Sequence, residues 1–569
     1  MEFVNILNDE IVKKKLNSIS DIIKLRDSLA RKLKPKQIPS LTTIFAKANN
    51  EEKLYLKKIL KTKPNRTLSG VSPVAVMTMP SNCPPQAKCI FCPGGINSQF
   101  GNTPKSYTGN EPASMRAKRN LYDSYLQVFN RLEHYVLLNQ DISKCDVIVM
   151  GGTFTAFAKQ YQEEFVKYIF KAMNDFSDLF FKNNEFDYKK FNEFFELDKE
   201  FKDPERIKRV IDKILDIKGK CDIKKEQLKN EKSNCKIIGL TLETRPDCVD
   251  LDIGNFMLEL GATRIELGIQ STDDKVLDFM KRGHGNKESI DAIKLLRDLG
   301  FKLNLHYMIF DNNVEKEVED MKKLFSTEDY NPDMLKIYPC MIFPGTELYK
   351  YFKEGKYEEV KTEKAAEIIS EFKKYIEPYC RVMRIQRDIP PKYSVGGVDK
   401  SNLRQYVEEL CKKKGIKCKC IRCREIGRNQ KIIDDHVYVQ EYNASGGKEF
   451  FISIGKDPLI GFARLRFPSQ SLRKEITKNS AIIRELHVYS TALKVGSKGE
   501  GFQHKGYGKI LMDKAEEISR KNGKKKMIVI SGVGVKDYYI QKLGYEKDGV
   551  YVSKKISGPT QNRTADRSV

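Results

Sequence analysis

Cys83-Pro-Pro-Gln-Ala-Lys-Cys89-Ile-Phe-Cys92-Pro-Gly-Gly95 follows an apolar run from Val74 to Met79. A strand and then three cysteines on one loop is the order that decides how the rest of the chain is read. Three thiolates so close together suit a [4Fe-4S] cluster with one iron left open, and an open iron can chelate S-adenosylmethionine. A structural zinc normally closes four ligands, and no fourth cysteine lies within ten residues of this group.

Beyond the loop, short apolar and β-branched runs alternate with longer helical stretches. The runs are Val74–Met79, Val147–Met150, Ile237–Leu242, Arg264–Ile269, Lys302–Ile309 and Met334–Tyr338, and the alternation predicts parallel βα units. Six strands are too few for a closed eight-stranded barrel, so an open, partial barrel is expected, with its site at the strands' C-terminal ends. Candidates stand there: Met150-Gly151-Gly152-Thr153-Phe154, Glu243-Thr-Arg245-Pro-Asp247 and Glu266-Leu-Gly-Ile-Gln270. Glycines at a strand end let backbone approach a ligand's amino and carboxylate groups. Gly151, Gly152, Thr153, Glu243 and Gln270 are therefore the expected S-adenosylmethionine contacts, although any one of the acids alone is more often a strand-end salt bridge.

The last quarter carries a second constellation. Gln503-His-Lys-Gly506-Tyr507-Gly508 opens a strong amphipathic helix from Gly506 to Lys521, and backbone N–H groups at such a helix start hold a pyrophosphate. Strand Glu485-Leu486-His487-Val488 precedes it, and strand Met527–Ile530 and Tyr538-Tyr539 follow. These surroundings match the plan of the GNAT acyltransferases, in which pantetheine pairs with the edge of the preceding strand and a tyrosine protonates the leaving thiolate. Tyr539 is the candidate acid and Tyr538 its substitute.

Composition bounds the remaining choices. At 569 residues two or three domains are expected. No apolar run approaches the length of a membrane span, and Met1–Ser20 is charged rather than signal-like, so a cytoplasmic protein without a membrane partner is expected. Thirteen cysteines without a secretory signal argue for metal rather than disulfides, and seven of them fall in Cys83–Cys92 and Cys411–Cys423. In the second cluster the tight spacing of Cys418, Cys420 and Cys423 favours a structural zinc, with Cys411 or His436 as a fourth ligand. The net charge is +25, and residues 1–66 hold 16 Lys and Arg against 7 acids. A polyanion fits this excess, and so does an ordinary solvated surface.

A cysteine loop of this kind and a GNAT half in one chain resemble the catalytic subunit of Elongator, the tRNA uridine(34) acetyltransferase family, in its archaeal single-subunit form. The resemblance covers nearly the whole chain. It rests on residues 89–95, Ser106-Tyr-Thr-Gly-Asn-Glu-Pro112, residues 150–154, Leu242–Asp247, Arg484–Tyr489 and the Gln503 loop. One departure from the commonest radical-SAM pattern is the five residues between the first two cysteines, where three are usual. The resemblance implies an α/β chain: a partial (β/α)6 radical-SAM barrel followed by a GNAT acyltransferase domain, with a basic helical N-terminal segment. The expected divisions are a tRNA-binding segment at 1–66, the radical domain at 67–393 with a surface insertion near 174–233, a Cys-rich zinc connector at 394–428, the acyltransferase at 429–556 and a disordered tail at 557–569.

The activity it implies is modification of the wobble uridine in the tRNA anticodon stem-loop. A 5'-deoxyadenosyl radical takes hydrogen from the methyl group of acetyl-CoA, the carbon radical adds to C5 of the uracil, and thioester hydrolysis leaves 5-carboxymethyluridine. Cys83, Cys89 and Cys92 match the cluster ligands. Lys144 resembles the family lysine that reaches acetyl-CoA from the radical domain, and Glu485, Leu486, His487, Val488, Gln503, Gly506, Tyr507, Gly508, Lys509 and Tyr539 match acetyl-CoA contacts. Arg116, Lys118 and Arg119 are expected phosphate contacts, with salt-dependent affinity. An electron donor protein is implied, and the need for accessory subunits stays open. The reading from a different class is a protein lysine acetyltransferase with a structural iron-sulfur domain.

Overall fold

In the computed structural model, which describes residues 3–35, 38–60, 70–427, 434–489 and 506–556, the apolar runs of the first half become strands. They are β1 (Ser72–Met77), β2 (Lys144–Met150), β3 (Lys236–Thr244), β4 (Arg264–Gln270), β5 (Lys302–Ile309), β6 (Met334–Pro339) and β7 (Arg381–Arg384). All pairs are parallel and follow chain order, so β1 and β7 are the edges of an open sheet. Helices Leu251–Glu259, Asn286–Asp298, Val314–Ser326 and Thr362–Phe372 provide the crossovers that parallel pairing requires. Six strands are the expected ones. The seventh has only Val382 buried and no apolar run to announce it.

The inward face of this sheet is polar. Arg264 donates to Asp146 at 2.7 Å, Asn304 and His306 reach Glu266 at 3.2 and 2.9 Å, and Lys336 pairs with Glu266. The alternate residues Ile265, Leu267, Leu303 and Leu305 are fully buried in the main apolar core. Closed barrels usually fill their interior with branched apolar side chains. Burying charge is costly unless it is paired, and here each charge has its partner.

The region 174–233, expected as a surface excursion, is instead built into the core. Phe176, Phe180, Phe191 and Phe195 are fully or almost fully buried and meet in close edge-on and tilted ring pairs. Four N-terminal helices, Phe3–Lys13, Ile19–Leu33, Leu41–Ala46 and Asn50–Ile59, pack over their own core of Leu7, Ile11, Ile22, Ile44 and Leu56. Phe45 meets Tyr188 of the aromatic region edge-on at 6.2 Å, which docks one on the other.

The last part forms a second sheet of β8 (Val437–Ala444), β9 (Gly447–Ile454), β10 (Gly461–Phe467), β11 (Ser480–Val488), β12 (Lys526–Val529), β13 (Glu546–Asp548) and β14 (Tyr551–Lys555). Its order is β8-β9-β10-β11-β12-β14-β13, and only β11 and β12 pair in parallel. This sheet seats on the N-terminal ends of the barrel strands. Arg484 makes two 2.6 Å bonds to Asp333, just before β6, and Arg466 reaches Asp298, before β5, at 2.8 and 2.5 Å. Backbone meets backbone beside them: a Cβ on Gly532 would lie 2.1 Å from the Ile238 carbonyl oxygen.

Candidate active site at the two mouths of the barrel

At the C-terminal mouth, the cysteine loop leaves β1 and is pinned at both sides. Ile90 N–H donates to the Met280 carbonyl at 3.1 Å, and Leu348 N–H donates to the Ile90 carbonyl at 2.9 Å. Ile90 and Phe91 are buried in an apolar cluster against which Cys89 also packs. Arg282 and Arg245 reach Cys89 Sγ at 3.3 and 3.8 Å. Burial works against ionising Cys89, but these two guanidiniums hold its thiol below the usual value, whereas burial pushes Cys83 up. Cys83 lies 3.6 Å from Thr153 Oγ1, and Cys92 accepts from Ser106 N–H at 3.3 Å.

The expected glycines stand opposite. Gly151 and Gly152 have φ of +133° and +101°, which disfavours any side chain, and a Cβ on Gly151 would fall 2.0 Å from Thr78 Oγ1. Their N–H groups point at Glu243 Oε2 from 3.3 and 3.5 Å, and Tyr107 O–H donates to the same oxygen at 3.3 Å. Gln270, also at positive φ, is buried at the end of β4 with its Oε1 unpartnered among the described residues. The structure therefore gathers Cys83, Cys89, Cys92, Gly151, Gly152, Thr153, Glu243 and Gln270 around one mouth.

This donor set fits an iron-sulfur cluster better than a single ion. Tetrahedral zinc, with bonds of about 2.3 Å, would draw its thiolates to roughly 3.8 Å apart. Among the described residues, the cysteines whose sulfurs all lie within 4.8 Å of one another are Cys418, Cys420 and Cys423, not the first three.

The N-terminal mouth faces the second sheet. Parallel pairing of β11 with β12 stops at Ile483–Val529, yet β11 continues to Val488. Among the described residues, Arg484 to Val488 thus have no strand neighbour on that side, a backbone edge that an extended ligand could pair with. Glu485, Leu486, His487 and Val488 lie on this edge. Arg464 donates to Glu485 at 2.9 Å; burial opposes its charge, but Lys302 and Arg464 keep its carboxyl below the usual range. Burial lowers His487 to about 4, so it is neutral there.

Gly506 caps helix Tyr507–Lys521 at φ +77°, with Tyr507 buried and Lys509 exposed on its first turn. Tyr538 is partly exposed, and its hydroxyl lies 2.8 Å from where a Gly508 Cβ would be. Tyr539 is enclosed, and burial raises its phenol well above 10, so it holds its proton. Lys144 is the first residue of β2, two positions before the inward Asp146, and burial lowers its ammonium. It therefore belongs to the mouth that Glu485 faces. Gln503 lies outside the described residues.

Two expectations need correction. Arg116 is buried and donates to the Ala75 carbonyl at 3.0 Å, so it braces β1 and does not present itself to phosphate; Lys118 and Arg119 are exposed. Neither Cys411 nor His436 joins the second thiol group, since Cys411 is buried in helix Leu403–Lys413 and His436 is turned to Asp434 at 2.8 Å. Sequence reading also passed over Tyr107, Arg282, His306 and Lys336. Polar residues alternating inside apolar strands, as in Lys302-Leu-Asn304-Leu-His306, were the signal for the last two.

A barrel with clustered thiols at one mouth and a splayed-strand sheet on the other defines a radical SAM enzyme fused to a GNAT acetyltransferase. Family comparison agrees: residues 83–325 match the Radical SAM superfamily, 332–413 the Radical_SAM C-terminal domain, 404–545 the Acetyltransferase (GNAT) family and 1–68 the ELP3 N-terminal domain. The chain is 40% identical over 534 residues to a tRNA uridine(34) acetyltransferase of Methanocaldococcus infernus, covering 91% of this chain and 92% of the relative. It is 37% identical to Elongator complex protein 3 of Saccharomyces cerevisiae, covering 93% and 90%. A solved Methanocaldococcus infernus Elp3 lacking its N-terminus superposes with a TM-score of 0.68 at 35% identity, covering 86% of this chain and 99% of that one. The chain belongs to the Elongator complex protein 3 family.

Proposed function

We propose that the chain converts the wobble uridine of tRNA to 5-carboxymethyluridine, using S-adenosylmethionine and acetyl-CoA. The observation that carries this reading is one barrel with a radical-type mouth at its C-terminal end and an acyl-CoA slot facing its N-terminal end. The names of the relatives supply the substrate.

Cys83, Cys89 and Cys92 are the residues to hold a [4Fe-4S] cluster, which when bound would supply the electron that cleaves S-adenosylmethionine to a 5'-deoxyadenosyl radical. Gly151 and Gly152 offer their N–H groups and, with Thr153, Glu243 and Gln270, orient the cosubstrate. The open edge of Glu485–Val488 takes the pantetheine arm, and the Gly506–Lys509 turn takes the pyrophosphate. Lys144 reaches the acyl group from the barrel side. Tyr539, protonated at neutral pH, returns a proton to the departing thiolate, with Tyr538 as its substitute. Exposed Lys118, Arg119 and the N-terminal helices face the anticodon stem-loop. Cys418, Cys420 and Cys423 hold a zinc at the junction of barrel and second sheet.

The domain divisions given above are part of the same proposal. No described helix is long and apolar enough to cross a membrane. Anaerobic incubation with tRNA, S-adenosylmethionine, acetyl-CoA and a reductant, followed by nucleoside mass spectrometry, is the test. Carboxymethyluridine is expected; acetyl-lysine on a protein substrate without it would contradict the reading.

A further inference from the structure

We propose that His306, oriented by Glu266, is the general base that hydrolyses the thioester formed on the uridine, a step that rests on the function proposed above. Joining an acyl-CoA to a base through carbon leaves a thioester, and a carboxymethyl group requires water to cleave it. None of the roles given above to the cluster, cosubstrate or acyl-CoA contacts is the activation of water.

His306 stands on the inward face of β5, directly below the mouth where the reacting base must enter. Its Nε2 lies 2.9 Å from Glu266 Oε2, and its Nδ1 lies 4.0 Å from Glu243 Oε1. Burial alone would neutralise Glu266, but the Lys336 ammonium and His306 keep its carboxyl well below the usual range. An ionised acceptor on that side fixes the proton on Nε2 and turns the basic Nδ1 toward the mouth. The other polar groups facing the imidazole are Tyr338 edge-on at 5.6 Å from β6, and Asn304 on its own strand.

A second observation points to a polar ligand in the same lumen. Asn304 Oδ1 and Thr241 Oγ1 are fully buried and unpartnered among the described residues. Both occupy inward positions one pleat below His306 and Glu243. Buried polar groups are normally satisfied by protein or ordered water, so this lumen suits ordered water.

The step balances without further reagents. Water gives a proton to Nδ1 as its oxygen bonds the carbonyl carbon; the carbon–sulfur bond then breaks, Tyr539 protonates the CoA thiolate, and the imidazolium's proton passes through solvent to restore the phenol. The products are a carboxylate, a proton and free CoA thiol. Glu266 acts as a positioning residue.

The test uses the full chain, reconstituted anaerobically with tRNA, S-adenosylmethionine, acetyl-CoA and dithionite. In His306→Ala, 5'-deoxyadenosine should still form, while carboxymethyluridine falls by about 10²-fold or more. The tRNA should accumulate a CoA thioester, visible by intact mass and converted by hydroxylamine to the hydroxamate. Glu266→Gln, which keeps the imidazole, should slow the same step and accumulate the same adduct. Carboxymethyluridine at the wild-type rate from His306→Ala overturns the inference. Loss of both product and thioester in the two variants also overturns it, because that pattern marks a merely structural role. Absence of carboxymethyluridine from the wild-type chain removes the function reading itself, and this inference with it.

Discussion

The chain carries two triads of cysteines, and the fold treats them differently. Cys83, Cys89 and Cys92 are spread along a loop at an open mouth, with Arg282 and Arg245 directed at Cys89 and glycine backbone opposite. Cys418, Cys420 and Cys423 are drawn within 4.8 Å of one another, beside Cys380 at the β7 edge, where Glu425 bridges to Leu459 between β9 and β10. A gathered set suits one ion that ties two parts together. A spread set facing strand-end glycines suits a cluster that reacts. Spacing in the sequence separates the two poorly; neighbours in space separate them well.

The two triads separate most under Cys89→Ala. Cleavage of S-adenosylmethionine should fall to background while zinc content and tRNA binding stay as in the wild type; measuring 5'-deoxyadenosine, metals and filter binding together checks all three. Cys420→Ser should do the reverse. Zinc is lost and unfolding stability drops on the order of 4 kcal/mol, yet the chain that remains folded still cleaves S-adenosylmethionine. Equal effects of the two substitutions would erase the distinction.

Arg282→Met sharpens the contrast at one triad. Removing the guanidinium 3.3 Å from Cys89 should weaken iron retention against a chelator by about 10-fold to 100-fold, as outer-shell substitutions do, without touching zinc. The smallest effect is acid sensitivity on the side of the second triad. Half-buried His487, beside the Arg381–Glu425 pair, is lowered by desolvation to about 4, below its unfolded value near 6.5. The unfolded chain therefore takes the proton first. Its contribution is complete above about pH 6.5 and is lost as pH falls toward 4, by on the order of 2 kcal/mol. His487→Gln should flatten that part of a stability–pH curve.

Much of this was legible in the sequence because it follows from local rules. Strand Lys302–Ile309 is where the apolar run places it, and Gly151-Gly152 and Gly506 have the positive φ that only glycine adopts easily. Residues set by tertiary partners were not legible. β7 pairs because β6 offers an edge, not because Arg-Val-Met-Arg favours a strand. Arg116 looks like its exposed neighbours Lys118 and Arg119 until the helix Pro112–Arg119 is laid against β1. The phenylalanines of the 174–233 region read as an excursion because their partners include one another across a hairpin. His306 hid among apolar residues of its strand, and only the curl of the sheet brings Glu266, Lys336 and Glu243 around it.

On the function proposed, the two mouths of the barrel serve one reaction. Trideuteroacetyl-CoA tests it directly, with anaerobic chain, tRNA and unlabelled S-adenosylmethionine. One deuterium should appear in 5'-deoxyadenosine and two in the carboxymethyl group of the uridine. Unlabelled 5'-deoxyadenosine, or label found only in an acetylated lysine, would contradict it.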